Sequence, residues 1–85
     1  MKIQTTSPFD RDYGGLPESI KEQTDKQLSL FLDNPHHPSL RVKKIKGYPK
    51  IWEGRITKNY RITFQIEGET YILRRIGTHN VLKTS

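Results

Sequence analysis

The stretch IWEGRITKNYRITFQIEGETYILRRIG, residues 51–77, decides the fold that the sequence predicts. In its middle, apolar residues alternate with polar ones from Tyr60 to Ile66, the period of two that is typical of a strand with one face on a core. The segments on either side continue the alternation, and short turns are predicted near residues 58–59 and 67–69. This pattern predicts an antiparallel meander with one buried face.

The chain before the meander predicts helices. Residues 2–6 read as a short strand, and Ser7 is expected to cap a brief helix that begins with Pro8. A longer helix is expected from Pro17, its first residue, to Asn34, where Pro35 prevents continuation. Its apolar stripe is thin, so one face should pack on the sheet. The residues of this stripe are Ile20, Leu28, Phe31 and Leu32.

The predicted fold class is therefore α+β. An N-terminal strand and helices pack on a mostly antiparallel, twisted sheet of about four to five strands. The length of 85 residues predicts a single domain over residues 1–85.

The segment NPHHPSLRVKKIKG, residues 34–47, joins the long helix to the sheet. Leu40 and Val42 are expected to hold a strand to the core while Arg41 and Lys43 point away, and a turn is expected at Gly47–Tyr48–Pro49. The two adjacent histidines in the loop, residues 36–37, diverge too much to share one metal ion. With no cysteine in the chain, a zinc site is disfavoured, and no metal or cofactor is expected.

Charge is distributed unevenly along the chain, whose net charge is +6. Residues 1–40 sum to −2 and residues 41–85 to +8. This asymmetry indicates a polyanionic partner for the second half, nucleic acid or an acidic protein segment, with a merely solubilising basic surface as the alternative. The absence of cysteine favours a reducing compartment such as the cytoplasm, and no apolar run is long enough for a membrane span.

The alternation places charged residues together on the face of the sheet opposite the helices. Glu53, Arg55 and Arg61 are expected to project there, joined by Arg41, Lys43 and one of the two arginines at 74–75. Several cations around one carboxylate form a candidate phosphate-binding surface. The alternative is a solvated face on which Glu53 pairs with arginines. Trp52, in phase with the apolar residues, is expected to be core rather than a platform for base stacking.

Metal-free phosphodiester cleavage or simple binding remain as functions, because the sequence has no phosphate-binding glycine loop, nucleophile elbow or dinucleotide fingerprint. Sheet arginines can stabilise the charge of a phosphorane. Glu53 or His79 can transfer the protons, although His79 can equally be a structural cap after the last strand.

Three segments together resemble the RelE/ParE superfamily of bacterial toxins from type II toxin–antitoxin modules. They are NPHHPSLRVKKIKG (34–47), IWEGRITKNYRITFQIEG (51–68) and YILRRIGTH (71–79). The resemblance implies a microbial-ribonuclease-like fold and a cognate antitoxin with an acidic or amphipathic segment that wraps the toxin. It favours a metal-independent mRNA endoribonuclease that inhibits translation, acting on free or ribosome-bound mRNA. The alternatives are a ParE-like inhibitor of DNA gyrase and an inactive homologue that still binds an antitoxin.

The resemblance also assigns site residues. Arg61 matches the sheet arginine that RelE-like and YoeB-like toxins use at the scissile phosphate, and His79 resembles the late histidine of YafQ-like toxins. Glu53 stands where RelE-like toxins tend to have lysine, and their late tyrosine is missing. The predicted catalytic residues are Arg61, Arg55, Glu53 and His79. The predicted RNA-binding residues are Arg41, Lys43, Lys44, Lys46, Arg74 and Arg75.

Overall fold

The computed structural model describes residues 2–78, which form two α-helices and a five-stranded sheet. The sheet has the order β1-β5-β4-β3-β2, antiparallel except for the parallel pair of β1 and β5. This confirms the predicted α+β class. The elements are β1 (Lys2–Thr5), α1 (Ser7–Gly14), α2 (Glu18–Asp33), a 3₁₀ turn (Pro38–Leu40), β2 (Lys43–Ile45), β3 (Tyr48–Arg55), β4 (Tyr60–Glu67) and β5 (Thr70–Thr78).

Both helices begin one residue away from the predicted position. The cap of α1 is Thr6 rather than Ser7, and its Oγ1 accepts a hydrogen bond from the Phe9 amide at 3.4 Å. Threonine and serine are both favourable N-cap residues, so residue type alone does not distinguish Thr6 from Ser7. Pro17 precedes α2 in an extended conformation and is its N-cap, not its first helical residue. None of the helices in residues 2–78 is long and apolar enough to cross a membrane.

Helix α2 packs on the sheet through Phe31. The ring of Phe31 meets the rings of Phe64 and Tyr71 edge to face, with centroids 4.9 and 4.2 Å apart. Such pairs contribute beyond their buried area. The prediction that Leu32 belongs to the buried stripe is wrong, because the stripe is centred on Thr24 and Phe31 and leaves Leu32 46% exposed.

The strands β3 and β4 have the predicted alternation. Trp52 lies opposite Phe64 and Gly54 opposite Ile62, all on the α2 side of the sheet. A Cβ atom at residue 54 would come within 3.2 Å of Ile62 Cγ2, so glycine permits this close packing. Ile66, although in phase, is 42% exposed. The core consists of Phe9, Phe31, Leu40, Ile56, Ile62, Phe64, Tyr71, Leu73 and Ile76.

The segment before β3 departs from the prediction. Leu40 is buried as expected, but it ends a 3₁₀ turn, and Arg41 follows in the left-handed conformation with φ 46°. Strand β2 therefore starts only at Lys43. The turn into β3 lies at Lys46–Gly47, before the predicted Gly47–Tyr48–Pro49, and Gly47 supplies its φ of 86°.

A β-bulge interrupts the pairing of β4 with β5. Thr63 lies opposite Arg75, whereas the next residue, Phe64, lies opposite Leu73. Arg74 is therefore the additional residue of the bulge, and two consecutive arginines face one threonine. The bulge also keeps Ile76 in phase with the core, where it is 2% exposed.

Trp52→Ala is expected to lower the free energy of unfolding by about 2 kcal/mol, roughly half the cost of truncating a fully buried aromatic residue. Trp52 packs against the core but is only partly buried, and Lys44 Nζ lies over its ring at 5.3 Å. Urea unfolding measures the loss, with the exposed Tyr48→Ala on the same strand as control. Unchanged stability together with lost binding of single-stranded RNA would instead assign Trp52 to base stacking.

Candidate nucleic-acid interface

The face of the sheet opposite α2 carries most of the predicted site, and we call it the polar face. The pairing register puts Glu53 opposite both Lys43 and Thr63, and Arg55 opposite Arg61. All these positions alternate with the residues packed under α2, so they share the other face. The polar face consists of Lys43, Glu53, Arg55, Arg61, Thr63, Gln65 and Arg74.

Glu53 is the buried carboxylate of this face. It is 6% exposed, although nothing in the sequence pattern indicated burial. Lys43 Nζ lies 3.1 Å from its Oε1, whereas Oε2 is buried and has no hydrogen-bond partner among residues 2–78. A buried acceptor without a partner costs free energy. The fold therefore maintains a buried carboxylate oxygen without a partner, which a ligand can reach only if the surrounding side chains move.

Arg61 is fixed to the loop between β3 and β4. Its Nη1 donates to the carbonyl oxygens of Thr57, Lys58 and Tyr60 at 2.7, 3.0 and 3.1 Å. Sequence reasoning predicted that Arg61 projects from the polar face, without these contacts to the loop. The structure instead holds one edge of the guanidinium against the loop. This fixes the group in place and leaves Nε and Nη2 as donors for a ligand.

Arg55 faces Arg61 across the β3–β4 pair, at the end of β3. Its side chain is partly buried, and its carbonyl oxygen accepts a hydrogen bond from Gln27 of α2 at 3.0 Å. Two arginines directly opposite each other repel unless an anion lies between them. The pair therefore adds positive potential beside the Glu53 carboxylate.

The two arginines of the bulge are directed to different partners. Arg74 Nη1 donates to Gln65 Oε1 at 2.9 Å, and its Nε is buried without a hydrogen-bond partner. Arg75 binds Asp12 of α1, with Nε 2.6 Å from Oδ2. This hydrogen bond raises the pKa of Arg75 above its usual range. Arg74 thus belongs to the polar face, while Arg75 is engaged by a helix.

Three of the predicted RNA-binding cations lie elsewhere. Arg41 does not join the polar face, because its left-handed turn directs it to a cavity of about 370 Å³ on the α2 side, which His36, His37 and Trp52 also line. Lys44 is on the same side, over the Trp52 ring. Lys46 occupies the exposed turn before β3.

The histidines contribute no site in the described part of the chain. His37 caps the 3₁₀ turn, where its Nδ1 accepts from the Ser39 amide at 3.2 Å, and His36 is exposed. No three His, Asp or Glu side chains among residues 2–78 are grouped to hold a metal ion. The predicted catalytic His79 follows Thr78 and lies outside the described residues.

Sequence reasoning missed Asp12 and Gln65, which hold the two bulge arginines. Asp12 looks like an ordinary acidic residue on a helix surface. Its role arises from a contact with a strand at the other end of the chain. A weak indication for Gln65 was present in the sequence, because its alternation with Arg61 and Thr63 places it on the polar face.

Comparison with known proteins reveals clear relatives. Toxin RelE3 of Methanocaldococcus jannaschii is 30% identical over 82 residues, which cover 89% of this chain and 88% of that one. The toxin fold in the RelB–RelE antitoxin–toxin complex of Methanococcus jannaschii matches with a TM-score of 0.71 and 25% identity, over 95% of each chain. YafQ of E. coli matches with a TM-score of 0.79 and 12% identity, over 95% of this chain and 96% of that one. No protein-family model matches the chain.

Proposed function

This chain belongs to the RelE family of toxins, and on that premise we propose that it is the toxin of a type II toxin–antitoxin module that inhibits translation by cleaving mRNA. One observation carries the nuclease proposal. The buried Glu53 carboxylate has an acceptor oxygen without a partner among residues 2–78, on a sheet face that also carries Lys43, Arg55, Arg61 and Arg74. A face made only to bind a polyanion would gain nothing from a buried carboxylate, since the carboxylate repels phosphate.

The side chains of the polar face match the requirements of RNA cleavage. We infer that RNA binding uncovers Glu53 Oε2, which then accepts the proton of a ribose 2′-hydroxyl, whose oxygen attacks the adjacent phosphorus. The bond from phosphorus to the 5′ oxygen then breaks and a 2′,3′-cyclic phosphate forms. A proton must reach the leaving 5′ oxygen, and His79 is the candidate donor on sequence grounds alone.

The arginines stabilise the charge that develops during this reaction. Arg61 lies diagonally across the β3–β4 pair from Glu53, and such neighbours are about 7–8 Å apart between Cα atoms. That spacing suits a phosphate held between a carboxylate base and a guanidinium. Arg55 and Arg74 add positive charge around it, and hydrogen bonds hold Arg61 and Arg74 in place before the phosphorane forms.

Lys43 orients the base. Its ammonium group lies 3.1 Å from Glu53 Oε1, and the side chain of Lys43 is 71% exposed whereas that of Glu53 is 8% exposed. The contact occupies one carboxylate oxygen and leaves the other without an ionic partner among residues 2–78. We therefore propose Lys43 as a positioning residue and an RNA contact in one.

The direct test incubates the purified protein with mRNA, alone and with programmed ribosomes, and maps 5′ ends by primer extension. A gyrase supercoiling assay runs in parallel. Cleavage in either RNA reaction without gyrase inhibition supports the proposal. Gyrase inhibition without RNA cleavage would identify a ParE-like toxin, and no activity in any assay would identify an inactive homologue.

We further propose a cognate antitoxin whose acidic segment binds the basic second half of the chain, in line with the antitoxin–toxin complex of the RelE relative. Co-purification with the product of the adjacent small gene is expected to succeed and to weaken as salt increases, because exposed charges are screened. The affinity is measured at a series of ionic strengths. A complex indifferent to salt would contradict an electrostatic contact.

A further inference from the structure

We propose that the cavity at the end of α2 is a docking site for an acidic, amphipathic protein segment, which inserts an apolar side chain against Trp52 and Ile66 and directs a carboxylate to Arg41. The inference rests on the proposed function in one respect, because it names the occupant as a segment of the proposed antitoxin. It places this contact on the α2 side of the sheet, across from the polar face that carries Glu53.

The cavity exists because α2 ends before it has covered the sheet. The helix stops at Asp33, and prolines at 35 and 38 lead the chain away from it. Phe31 is the last side chain of α2 that is buried, and its ring packs on Phe64 of β4. The next residue of β4 in the same phase is Ile66, which is 42% exposed. The apolar face of the sheet therefore continues past the helix and remains partly exposed there.

The lining of the cavity is mainly apolar and aromatic. Its volume of about 370 Å³ lies in the range of about 300–1,000 Å³ that is typical of binding pockets. Phe31, Phe64 and Tyr71 are its buried lining, whereas Trp52 and Ile66 are only partly covered. An apolar side chain of a partner removes the exposed parts of these two residues from water, which stabilises a complex. The cavity therefore fits an apolar anchor better than a phosphate group.

The charged groups of the cavity are cationic. Arg41, which follows the 3₁₀ turn with φ 46°, lines it together with His36 and His37. None of the lining residues within 2–78 carries a carboxylate, and Arg41 forms no ion pair in that part of the chain. The left-handed conformation is uncommon for arginine, so the turn keeps Arg41 at the cavity against its backbone preference. The cavity therefore selects an apolar side chain that has a carboxylate beside it.

An acidic protein segment fits this combination better than RNA does. RNA carries a phosphate on every nucleotide and finds its cations on the polar face, at Arg55 and Arg61. A base needs an open aromatic face for stacking, but Lys44 Nζ lies over the Trp52 ring at 5.3 Å. An amphipathic segment instead presents apolar and acidic side chains at regular intervals, as helices do when they bind apolar grooves. The α2 side therefore serves the protein partner, and the polar face serves RNA.

The probe is a synthetic amphipathic peptide with leucines on one helical face and glutamates on the other, compared with the same peptide carrying lysines in place of the glutamates. Trp52 is the one tryptophan of the chain, so its indole N–H resonance reports on the cavity without further assignment. We expect the acidic peptide to move this resonance saturably and the basic peptide to leave it in place. A resonance that moves with neither peptide, or equally with both, would overturn the proposal. Saturation by an oligouridine instead would assign the cavity to RNA.

Two variants separate the apolar contact from the charged one. Ile66→Ser should weaken binding of the acidic peptide about tenfold, and Arg41→Asn about two- to fivefold, since an exposed ion pair contributes less than an apolar side chain that becomes buried. Asparagine tolerates the left-handed conformation at residue 41. The matched controls do not line the cavity: they are Leu32→Ser, at an apolar residue of α2 that is 46% exposed, and Lys26→Gln, at an exposed cation of α2. Unchanged affinity in both cavity variants, or equal losses in the controls, would refute the docking site.

Co-purification with the product of the adjacent small gene tests the occupant. The double variant Arg41→Asn/Ile66→Ser should retain less of that product than Leu32→Ser/Lys26→Gln does, and equal retention would contradict the assignment of the cavity to the antitoxin. Failure of the wild-type protein to retain the product would contradict both the antitoxin and the named occupant. The peptide titration does not depend on RNA cleavage. A protein that binds the acidic peptide but cleaves no RNA contradicts the proposed nuclease alone, whereas one that cleaves RNA but does not bind the peptide contradicts the docking site alone.

Discussion

Glu53→Gln is expected to reduce RNA cleavage by about 10²- to 10⁴-fold, the contribution typical of a general base. Glutamine has nearly the shape of glutamate, so the packing around this buried side chain is preserved. Its amide cannot accept the 2′-hydroxyl proton. The 3.1 Å contact with Lys43 loses its ionic character, but Lys43 is largely exposed, so the protein should remain folded. Single-turnover cleavage of a defined RNA measures the effect.

Glu67→Gln provides the matched control for that experiment, because Glu67 is an exposed carboxylate near the end of β4, with the same alternation phase as Arg61. It should cleave RNA at the wild-type rate. If Glu53→Gln cleaves as fast as this control, Glu53 is a structural partner of Lys43, and the proton transfer must be assigned to another group.

Arg61→Ala is expected to lower the cleavage rate by about 100- to 1000-fold, as expected for the loss of one donor fixed before the reaction. Arg61→Lys should recover only part of the rate, because lysine keeps the charge without the planar fork. The variant also loses three hydrogen bonds to the loop between β3 and β4, so a small loss of thermal stability should accompany the loss of activity.

Growth arrest and primer extension measure the activity of the Arg61 variants, and thermal unfolding measures their stability. Lys58→Ala serves as control, because it removes a cation from the same loop while its carbonyl oxygen still accepts from Arg61. An Arg61→Ala protein that remains fully toxic and inhibits gyrase would refute the nuclease proposal and support a ParE-like mechanism.

The sheet was predictable because its evidence is local. A period of two around Ile62 and Phe64 determines which face of β4 is buried, and the structure gives those residues 2% and 0% exposure. The same period placed Glu53, Arg55 and Arg61 on the opposite face, as the register shows. The helices also lie within a residue or so of their predicted starts, since proline and threonine restrict the chain strongly there.

The misplaced residues depended on information that alternation does not carry. Arg41 was assigned to a strand because it alternates with Leu40 and Val42. Its left-handed backbone instead ends a turn that no pattern in residues 34–47 indicates. Glu53 is buried beside the short strand β2, where Lys43 lies opposite it and forms an ion pair with it. The pairing of Asp12 with Arg75 joins residues near opposite ends of the chain. Contacts of this kind follow from tertiary packing rather than from local propensity.

The parallel pair of β1 and β5 has a consequence for the timing of synthesis. Lys2 finds its partner only when Thr70 has been made, and pairing so distant in sequence slows folding. The ion pair of Asp12 with Arg75 has the same dependence, because Arg75 lies still later in the chain. A nascent chain therefore lacks its complete sheet and both bulge arginines until β5 has left the exit tunnel. The proposed RNA-cleaving face is therefore completed only after the last strand of the sheet has been made.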